Sequence, residues 1–458
     1  MGRYENFIRN KSQAHGGSGF DPIWMPDFLY DFQRHLVDWS IRKGRAAIFA
    51  DCGLGKTPMQ LVWADNVVRK TNRPVLLATP LAVGPQTIEQ AAKFGIEAER
   101  SRDGSIGSKA QVYVTNYEQL HKFDPDEFSG FVGDESSGIK NFKSERKKLV
   151  IEFTRLMKYR SLWTATAAPN DVWELGTSSE ALGYLGFRDM ITRFFKQETS
   201  KDYLGWGRTK YRFRGHAEQP FWRWVCSWAR AIRKPSEIGC SDDGFVLPPL
   251  VEHEYIVDTK KSREGMLFAT PARNLQEQRQ ERRNSIEERC EKACELAVAH
   301  DGPTILWCEL NDEANLLERT VPNAVQVSGS MSDDAKEERL MAFSRGEIQR
   351  MVTKPKVGCW GLNWQHCSNV VSFPSHSYEQ YYQSVRRCWR FGQKSVVNVH
   401  VIVNEGEVGV LKNIRRKAEQ VDRMFTSLAQ HMNDCLTLSS MDVFPERETV
   451  PGWLTQRE

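Results

Sequence analysis

Several features that define whole protein classes are missing from this sequence. Its ten cysteines include no C-x-x-C pair, which argues against a disulfide framework and against a structural zinc site. No apolar run approaches the roughly 20 residues that a membrane-spanning helix needs. The first residues, Met1 to Asn6, lack the apolar core of a signal peptide. We therefore expect a cytoplasmic protein with no membrane partner.

A strong charge of either sign is also missing. The chain has 63 Lys and Arg against 59 Asp and Glu, a formal net charge of +4. This small excess does not by itself indicate nucleic acid, so any such indication must come from clustered residues. With 458 residues, 40% hydrophobic and 27% charged, the composition is that of a globular protein long enough for two domains.

The most informative stretch is Ala50–Thr57, which reads Ala-Asp-Cys-Gly-Leu-Gly-Lys-Thr. It follows a short apolar run and precedes a helical pattern, so it predicts a strand, a glycine turn and a helix N-terminus that together bind phosphate. Gly53 and Gly55 let the backbone approach closely, Lys56 reaches the β- and γ-phosphates, and Thr57 holds Mg²⁺. The alternative is an ordinary glycine turn with a chance lysine. The flanking strand and helix favour the phosphate loop.

An acidic pair, Asp134 and Glu135, ends a short apolar segment at 131–133. In an open parallel sheet, ligands bind at this carboxyl edge of the strands. Asp134 can hold Mg²⁺ there, and Glu135 can orient and deprotonate an attacking water. An exposed turn with two acids is the alternative. The phosphate loop upstream favours the catalytic interpretation.

Strand patterns alternate with helical patterns along both halves of the chain. The predicted strands cover 46–49, 74–79, 111–116, 131–133 and 161–166, then 251–257, 304–308, 324–327, 350–353, 370–373 and 396–403. This alternation predicts an α/β fold with a doubly wound parallel sheet in each half. We expect a flexible lead-in over 1–20, a first domain over 21–195, a helical insertion over 196–262, a second domain over 263–430 and a tail over 431–458.

The predicted insertion is rich in aromatic and basic residues. Within 221–234, helical spacing separates an apolar stripe from a basic face: Phe221, Trp224, Val225, Trp228 and Ile232 against Arg223, Arg230 and Lys234. We interpret the stripe as core and the basic face as a candidate contact for nucleic-acid phosphates, with a solvated surface as the alternative. Thr164 and Thr166 are weaker candidates. Their hydroxyls could contact nucleic acid, couple nucleotide state to the second domain, or simply satisfy their own loop.

A basic segment, Gln383–Gln393, lies between the last two predicted strands. On a helix, Arg387 and Arg390 are three residues apart and share a face. Presented across a cleft between domains, they could stabilise charge on a γ-phosphate as arginine fingers. A basic helix that contacts nucleic acid or nothing is the alternative. The position in the second domain favours the finger interpretation.

Taken in order, these segments resemble the superfamily 2 helicases and translocases, most closely the Swi/Snf-type branch. Eight blocks carry the resemblance. Residues 29–33 resemble the adenine-reading segment, and residues 114–118 resemble the T-x-Y-E segment. Motifs I, Ia, II, III, V and VI correspond, in that order, to residues 50–57, 77–81, 134–141, 164–170, 353–363 and 383–393. The R-x-G-Q ending is characteristic of the Swi/Snf-type branch, and the compact chain resembles phage-encoded members. Ser137 replaces the histidine of D-E-x-H, which affects whatever coupling that histidine provides, and Arg386 stands where many helicases have glycine.

The resemblance implies two tandem RecA-like domains with ATP and Mg²⁺ in the cleft between them. Lys56, Glu135, Arg387 and Arg390 would be catalytic, with Thr57 and Asp134 holding the metal. The remaining nucleotide-binding residues that it implies are Gln33, at the adenine edge, and Gly361 and Gln383.

The function implied is a DNA-dependent ATPase that moves along or remodels duplex or branched DNA. Phage replication, recombination or repair would be its setting, with proteins of those processes as partners, and the host cytoplasm its location. Two alternatives stay open: an ATP-gated DNA-binding loader with little motor activity, and an RNA-directed helicase.

Overall fold

The computed structural model describes residues 19–107, 109, 111–140, 144–155, 157–201, 207–258, 275–358 and 362–439. Most of the predicted lead-in and tail lies outside these residues. Among the residues described, no helix is both long and apolar enough to cross a membrane.

The N-terminal half contains a seven-stranded sheet in which all neighbouring strands are parallel. The elements up to the end of this sheet are β-strands β1 (Arg45–Ala50), β2 (Val75–Thr79), β3 (Ala98–Arg100), β4 (Val112–Asn116), β5 (Gly130–Asp134), β6 (Tyr159–Trp163), β7 (Phe195–Lys201), β8 (Gly207–Phe213) and β9 (Ala229–Ile232), and helices α1 (Asp31–Lys43), α2 (Lys56–Thr71), α3 (Gly84–Lys93), α4 (Glu145–Thr154), α5 (Leu175–Leu182), α6 (Phe187–Phe194) and α7 (Glu218–Cys226). The strand order is β3-β4-β2-β5-β6-β1-β9.

The C-terminal half contains a second parallel sheet, of six strands in the order β10-β15-β14-β11-β13-β12. Its elements are β10 (Leu250–Val257), β11 (Thr304–Trp307), β12 (Ala324–Val327), β13 (Arg350–Thr353), β14 (Asn369–Ser372) and β15 (Val397–Asn404), with helices α8 (Leu275–Asn284), α9 (Ile286–Val298), α10 (Asn311–Thr320), α11 (Asp333–Ser344), α12 (Pro355–Gly358), α13 (Tyr378–Cys388) and α14 (Val408–Ser439). Short 3₁₀ turns are at Leu81–Val83, Tyr117–Lys122, Pro125–Glu127, Ser136–Ile139, Val172–Glu174, Pro235–Ile238 and Glu405–Glu407.

These two sheets confirm the predicted α/β class with two parallel-sheet domains. The central strands could be predicted because helices cover both faces of a parallel sheet, so a strand reads as an unbroken apolar run. Every residue of β2, β4, β5 and β6 is buried. The carboxyl ends of these strands form the edge from which the site residues project.

The segment between the two sheets is less helical than predicted. Residues of β7 and β8 form an antiparallel hairpin, and α7 ends at Cys226. The next residues form β9, which pairs in parallel with β1, with Ala47 opposite Ala229. The predicted helical period through Ile232 was therefore wrong, because hydrogen bonding to β1 extends the chain after Trp228. Phe221, Val225, Trp228 and Ile232 are nevertheless all buried, as a core stripe should be.

The long helix α14 connects the two domains. It follows β15 of the second sheet and packs against α7 and β9 of the first. Apolar side chains of α14, including Phe425 and Leu428, are buried in the same cluster as Phe221. Ala231 of β9 donates its backbone N–H to Met432 Sδ at 3.2 Å. Helix α14 thus covers the edge strand of the first sheet, which would otherwise expose unpaired backbone groups.

Replacement of Trp228 by alanine tests whether the aromatic stripe is core. The side chain is fully buried and contacts the rings of Phe49 and Trp224. Because truncation leaves a cavity, we expect Trp228→Ala to lower the free energy of unfolding by about 3–5 kcal/mol. Urea denaturation followed by circular dichroism measures this change. The exposed neighbour Arg223→Ala is the control and should shift stability by no more than about 0.5 kcal/mol. Equal effects would contradict the core assignment.

Candidate functional site

The loop after β1 is shaped by two glycines in the left-handed region. Gly53 has φ +88° and Gly55 has φ +75°, a conformation that favours glycine. A Cβ on Gly53 would lie 2.7 Å from the backbone N of Phe391, and one on Gly55 would lie 2.3 Å from Gln33 Nε2. Side chains are therefore excluded at both positions by strain and by contact. The loop is held between α1 and the residues after α13.

Helix α2 begins at Lys56, directly after this loop. Lys56 Nζ donates to the carbonyl oxygens of Ala50 at 3.1 Å and Asp51 at 3.5 Å. The N-terminal end of α2 therefore combines a positive helix dipole, free N–H groups and an ammonium group. These are the requirements of a phosphate-binding site.

A cavity of about 90 Å³ opens at this helix N-terminus. Its wall contains residues of both domains: Gly53, Gly55, Lys56, Thr57, Asp134, Glu135, Asn363, Arg387 and Arg390. The phosphate loop, the acidic pair and the two arginines, which are far apart in the sequence, therefore meet around one space. Gly361, predicted to belong to this set, lies outside the described residues.

The acidic pair stands at the carboxyl end of β5. Gln60 Nε2 donates to Asp134 Oδ1 at 2.6 Å, and Thr164 Oγ1 donates to Glu135 Oε2 at 3.3 Å. Glu135 has φ +46°, a left-handed conformation that is uncommon outside glycine and that clusters at functional sites. Burial, together with the neighbouring charge of Glu135, raises the pKa of Asp134 to about 6, although the Gln60 hydrogen bond and Lys56 oppose the shift.

Thr57 and Asp134 fit a magnesium ion. Both line the cavity, and hydroxyl and carboxylate oxygens are the hard donors that Mg²⁺ prefers. The raised pKa of Asp134 marks a buried carboxylate that a cation would stabilise. In the described parts of the chain, no three His, Cys, Asp or Glu side chains form a metal-binding group. Mg²⁺ at this position would take its other ligands from phosphate and water, as it commonly does.

The two arginines come from the end of α13 and the residues after it. Arg387 donates to the Leu362 carbonyl at 3.0 Å and to Gln383 Oε1 at 2.6 Å, and Arg390 donates to the same carbonyl at 3.2 Å. No described carboxylate forms a salt bridge with either guanidinium. Arg390 Nε is buried with no hydrogen-bond partner. Burial and the charge of Arg387 lower the pKa of Arg390 to about 10. A buried and a half-buried guanidinium with no salt-bridge partner among the described carboxylates indicate a site for an anion.

The two predicted glutamines hold the loop. Gln33 donates from Nε2 to the Leu54 carbonyl at 2.9 Å and accepts from the Tyr30 N–H at 3.1 Å. Gln383 accepts from Arg387 and lies 3.7 Å from Cys52 Sγ. Both side chains are buried, so their amides fix the position of the phosphate loop relative to α1 and α13.

A contact that no sequence pattern indicated joins α13 to the phosphate loop itself. Arg386 donates to the Asp51 carboxylate and, at 2.9 Å, to the Cys52 carbonyl. The Tyr382 hydroxyl donates to the same carboxylate. In the sequence, Arg386 differs from related motifs only in standing where many helicases have glycine. The only sequence signal for this contact is the opposite charge of Asp51 and Arg386. Neither segment by itself shows that the two residues meet.

An aromatic cluster, formed by Tyr30, Phe32, Phe245 and Phe391, was also not predicted. The Phe245 ring stacks on Phe391 at 4.9 Å and contacts Tyr30 and Phe32 edge-on at 4.9 and 5.0 Å. Because Gln33 and Phe391 both contact the phosphate loop, this cluster lies beside it. Phe245 belongs to a non-periodic loop between the domains, so its role had no sequence signal.

Thr164 and Thr166 are buried, and their hydroxyls are used within the protein. Thr164 donates to Glu135, and Thr166 Oγ1 donates to Glu379 Oε1 of α13 at 3.4 Å. Glu379 also pairs with Lys140. These contacts connect the acidic pair with the second domain. A role in contacting nucleic acid stays a prediction for both threonines.

Arg223, Arg230 and Lys234 do not share a helix face, because α7 ends before Arg230. Arg223 and Lys234 are exposed, whereas the Arg230 guanidinium lies 4.1 Å from the centre of the Trp39 ring. β9 is also the sheet edge farthest from β3 and β4. Five strand positions separate β9 from β4, roughly 24 Å at the usual spacing. Phosphate contact by these three residues stays a prediction.

Comparison with known proteins identifies part of the second domain. Residues 288–392 match the family of the helicase conserved C-terminal domain. This segment is similar to helicase C-terminal domains. It contains α13 and both arginines of the cavity. A search of curated proteins found no match to the chain.

Several solved structures are similar to this chain. S. cerevisiae Dbp5 bound to RNA and ADP BeF3 has a TM-score of 0.51 at 13% identity and covers 88% of this chain and 98% of its own. A Dbp5 variant bound to a Gle1 variant and IP6 has a TM-score of 0.52 at 12% identity, covering 87% and 92%. The Sulfolobus solfataricus SWI2/SNF2 ATPase core in complex with dsDNA, at 16% identity and covering 90% and 96%, has a TM-score of 0.41. At these identities the similarity shows the fold alone, that of two tandem RecA-like domains.

Replacement of Asp134 by asparagine tests the electrostatics of the cavity. A carboxylate whose pKa rises from 3.8 to about 6 on folding destabilises the protein where it is ionised, above about pH 6, and has no such effect below about pH 4. We expect Asp134→Asn to stabilise the nucleotide-free protein at pH 7.5 by about 2–3 kcal/mol, and the gain to shrink as the pH falls from 6 to 4.

Thermal and urea denaturation at several pH values measure this difference. Glu127→Gln removes an exposed carboxylate of the same domain and should give no comparable gain. A gain that is independent of pH, or a loss at pH 7.5, would show that burial does not set the pKa of Asp134.

Proposed function

We propose that this protein is a DNA-dependent ATPase that couples ATP hydrolysis to movement along, or remodelling of, duplex or branched DNA. The cavity shared by the two domains carries the proposal. One wall has a phosphate loop and an acidic pair, and the other has Arg387 and Arg390, neither of which forms a salt bridge with a described carboxylate. The helicase C-terminal domain match supports an ATP-hydrolysing helicase, and the DNA substrate is the further step.

The loop and the start of α2 would bind the phosphates of ATP. Lys56 would exchange its contacts with the Ala50 and Asp51 carbonyls for β- and γ-phosphate oxygens. Mg²⁺ bound to Thr57 and Asp134 would neutralise phosphate charge. The aromatic cluster beside Gln33 would offer the base a stacking surface.

Hydrolysis needs a base that deprotonates the attacking water, and positively charged side chains next to the γ-phosphate that stabilise its negative charge. Glu135 is the candidate base, and the hydrogen bond from Thr164 orients its carboxylate. Arg387 and Arg390 are the candidate arginine fingers, delivered from the second domain. Because the base and the fingers belong to different domains, hydrolysis would depend on the closed arrangement of the domains.

Nucleic acid would cross both domains through a second, larger cavity. This cavity has a volume of about 440 Å³ and lies between the carboxyl ends of β2 and β4 and helix α11. Glu135 also lines it, so the same residue borders both cavities. Its lysines, Lys336 and Lys356, belong to the second domain. A groove that touches both domains and the catalytic acid suits a motor, in which domain movement displaces a bound strand.

Two alternatives from different classes remain. An ATP-gated loader with little hydrolysis would not need Glu135 and both arginines facing one cavity. An RNA-directed helicase has the same fold, and Dbp5 is an RNA-bound example of it. The R-x-G-Q ending at Arg390–Gln393 favours DNA. The setting that we propose is phage replication, recombination or repair in the host cytoplasm, with proteins of those processes as partners.

Phosphate release from ATP, measured with different polymers, tests this function. The assay compares no nucleic acid, single-stranded DNA, duplex DNA, forked DNA and RNA. We expect duplex or forked DNA to give the strongest stimulation. Stimulation by RNA alone would overturn the DNA assignment, and no stimulation by any polymer would overturn the motor.

Site variants in the same assay connect the activity to the cavity. Glu135→Gln should lower kcat by about 10²–10⁴, and Arg387→Ala or Arg390→Ala by about 10³ or more, whereas Lys56→Ala should also weaken ATP binding. Arg345→Ala, an exposed arginine paired with Glu347, is the control and should retain wild-type activity.

A further inference from the structure

Two arginines of the first domain form ion pairs with carboxylates of the second. Arg100, the last residue of β3, lies 2.9 Å from Glu337 Oε1 through its Nη2 atom. Arg102 lies 3.4 Å from Glu337 Oε2 and 3.6 Å from Asp334 Oδ1. Asp334 and Glu337 belong to the first turns of α11. One carboxylate, that of Glu337, therefore joins two arginines across the domain boundary.

This bridge stands at the rim of the larger cavity. Glu337 lines the cavity, together with Lys336 of the same helix. The opposite wall includes Pro80 and Leu81, which follow β2. Arg100 also donates to the Leu81 carbonyl at 3.4 Å. Arg100 is thus fixed beside the proposed path of the nucleic acid, with its guanidinium turned towards α11.

The ion pairs of Arg100 and Arg102 with Glu337 are weak enough for a phosphate group to replace the carboxylate. The side chains of Arg100 and Glu337 are 23% and 20% exposed, and Arg102 is 43% exposed. Ion pairs that water can reach are worth little and are screened by salt. A guanidinium binds phosphate with the same two-pronged geometry that it uses for a carboxylate. A polyanion entering the cavity can therefore compete with Glu337 for both arginines.

We propose that Arg100 and Arg102 are phosphate contacts of the nucleic-acid path, and that Glu337 occupies them in place of phosphate until nucleic acid binds. This inference rests on the proposed function. Phosphate entry releases Glu337 from both arginines and so removes a bridge between the domains. Nucleic-acid binding is thereby linked to the freedom of the two domains to move, which is what a polymer-stimulated motor requires.

If the proposal is right, replacing Arg100 and replacing Glu337 change the affinity for nucleic acid in opposite directions. If the pair only holds the domains in a binding-competent position, Arg100→Gln and Glu337→Gln break the same contact and change affinity in the same direction. If Glu337 competes with phosphate, its removal strengthens binding, whereas removal of Arg100 weakens it. The sign of the change therefore separates the competitor role from a structural one.

Fluorescence anisotropy with a short labelled duplex DNA, and with RNA of matching sequence, measures the effect over a salt series. We expect Glu337→Gln to tighten binding by up to about fivefold at low salt, the scale of one surface ion pair. Arg100→Gln should weaken binding and reduce the slope of log K against log salt by about 1.

Arg345 and Glu347 form a matched control pair, exposed and within the second domain. Glu347→Gln and Arg345→Gln change the net charge by the same amounts as the test variants, so they report the general electrostatic effect. Shifts in the same direction for both test variants, or a Glu337→Gln shift no larger than that of Glu347→Gln, would overturn the proposal. Failure of the wild type to bind either polymer would instead overturn the proposed function, and this inference with it. Thermal melting confirms that each variant is folded.

Discussion

The docking of α13 on the phosphate loop is the interaction on which the candidate site depends. Arg386 and Tyr382 of the second domain both donate to Asp51, which lies inside the loop of the first. Burial alone would lower the pKa of Arg386, but the charge of Asp51 raises it, so the guanidinium stays charged. A buried ion pair of this kind adds little net stability but is costly to break from one side. It fixes how the two domains meet.

The positions of the other functional groups follow from this docking. Arg387 and Arg390 are on the same segment as Arg386, so the contact with Asp51 brings them to the cavity that contains Glu135. At the N-terminal end of α13, Glu379 accepts from Thr166 and pairs with Lys140. Ser137, which stands where related motifs have histidine, has a buried hydroxyl without a hydrogen-bond partner in the described structure. Hydrogen bonds of Thr164, Thr166 and Glu379 connect the acidic pair to the second domain.

The parts of this arrangement that could be predicted are those with a local signal. β1, the glycine loop and α2 follow one another within a single stretch of sequence, and the central strands are unbroken apolar runs because both faces of each sheet are covered. The three-residue spacing of Arg387 and Arg390 predicted one helix face, but α13 ends at Cys388, so Arg390 reaches the cavity from the segment after the helix. Their shared contact with the Leu362 carbonyl was not predictable, because residue 362 belongs to a different loop.

The features that were missed depend on tertiary contacts. β9 continued the helical period of α7, and only pairing with β1 makes it a strand. Asp51 and Arg386 are separated by 335 residues, and Arg100 and Glu337 by 237. No period links such positions, and each charge on its own resembles an ordinary surface residue. Phe245 likewise gains its role only from the rings that surround it.

A double-mutant cycle on Asp51 and Arg386 tests the central claim most directly. kcat/KM for ATP hydrolysis is measured for the wild type, Asp51→Asn, Arg386→Gln and the double variant, with thermal melting to verify folding. If α13 docks on the loop through this pair, each single variant loses activity and the double variant loses much less than their sum, with a coupling of about 1–3 kcal/mol. Additive losses would contradict the account, because they would mean that the two side chains act independently.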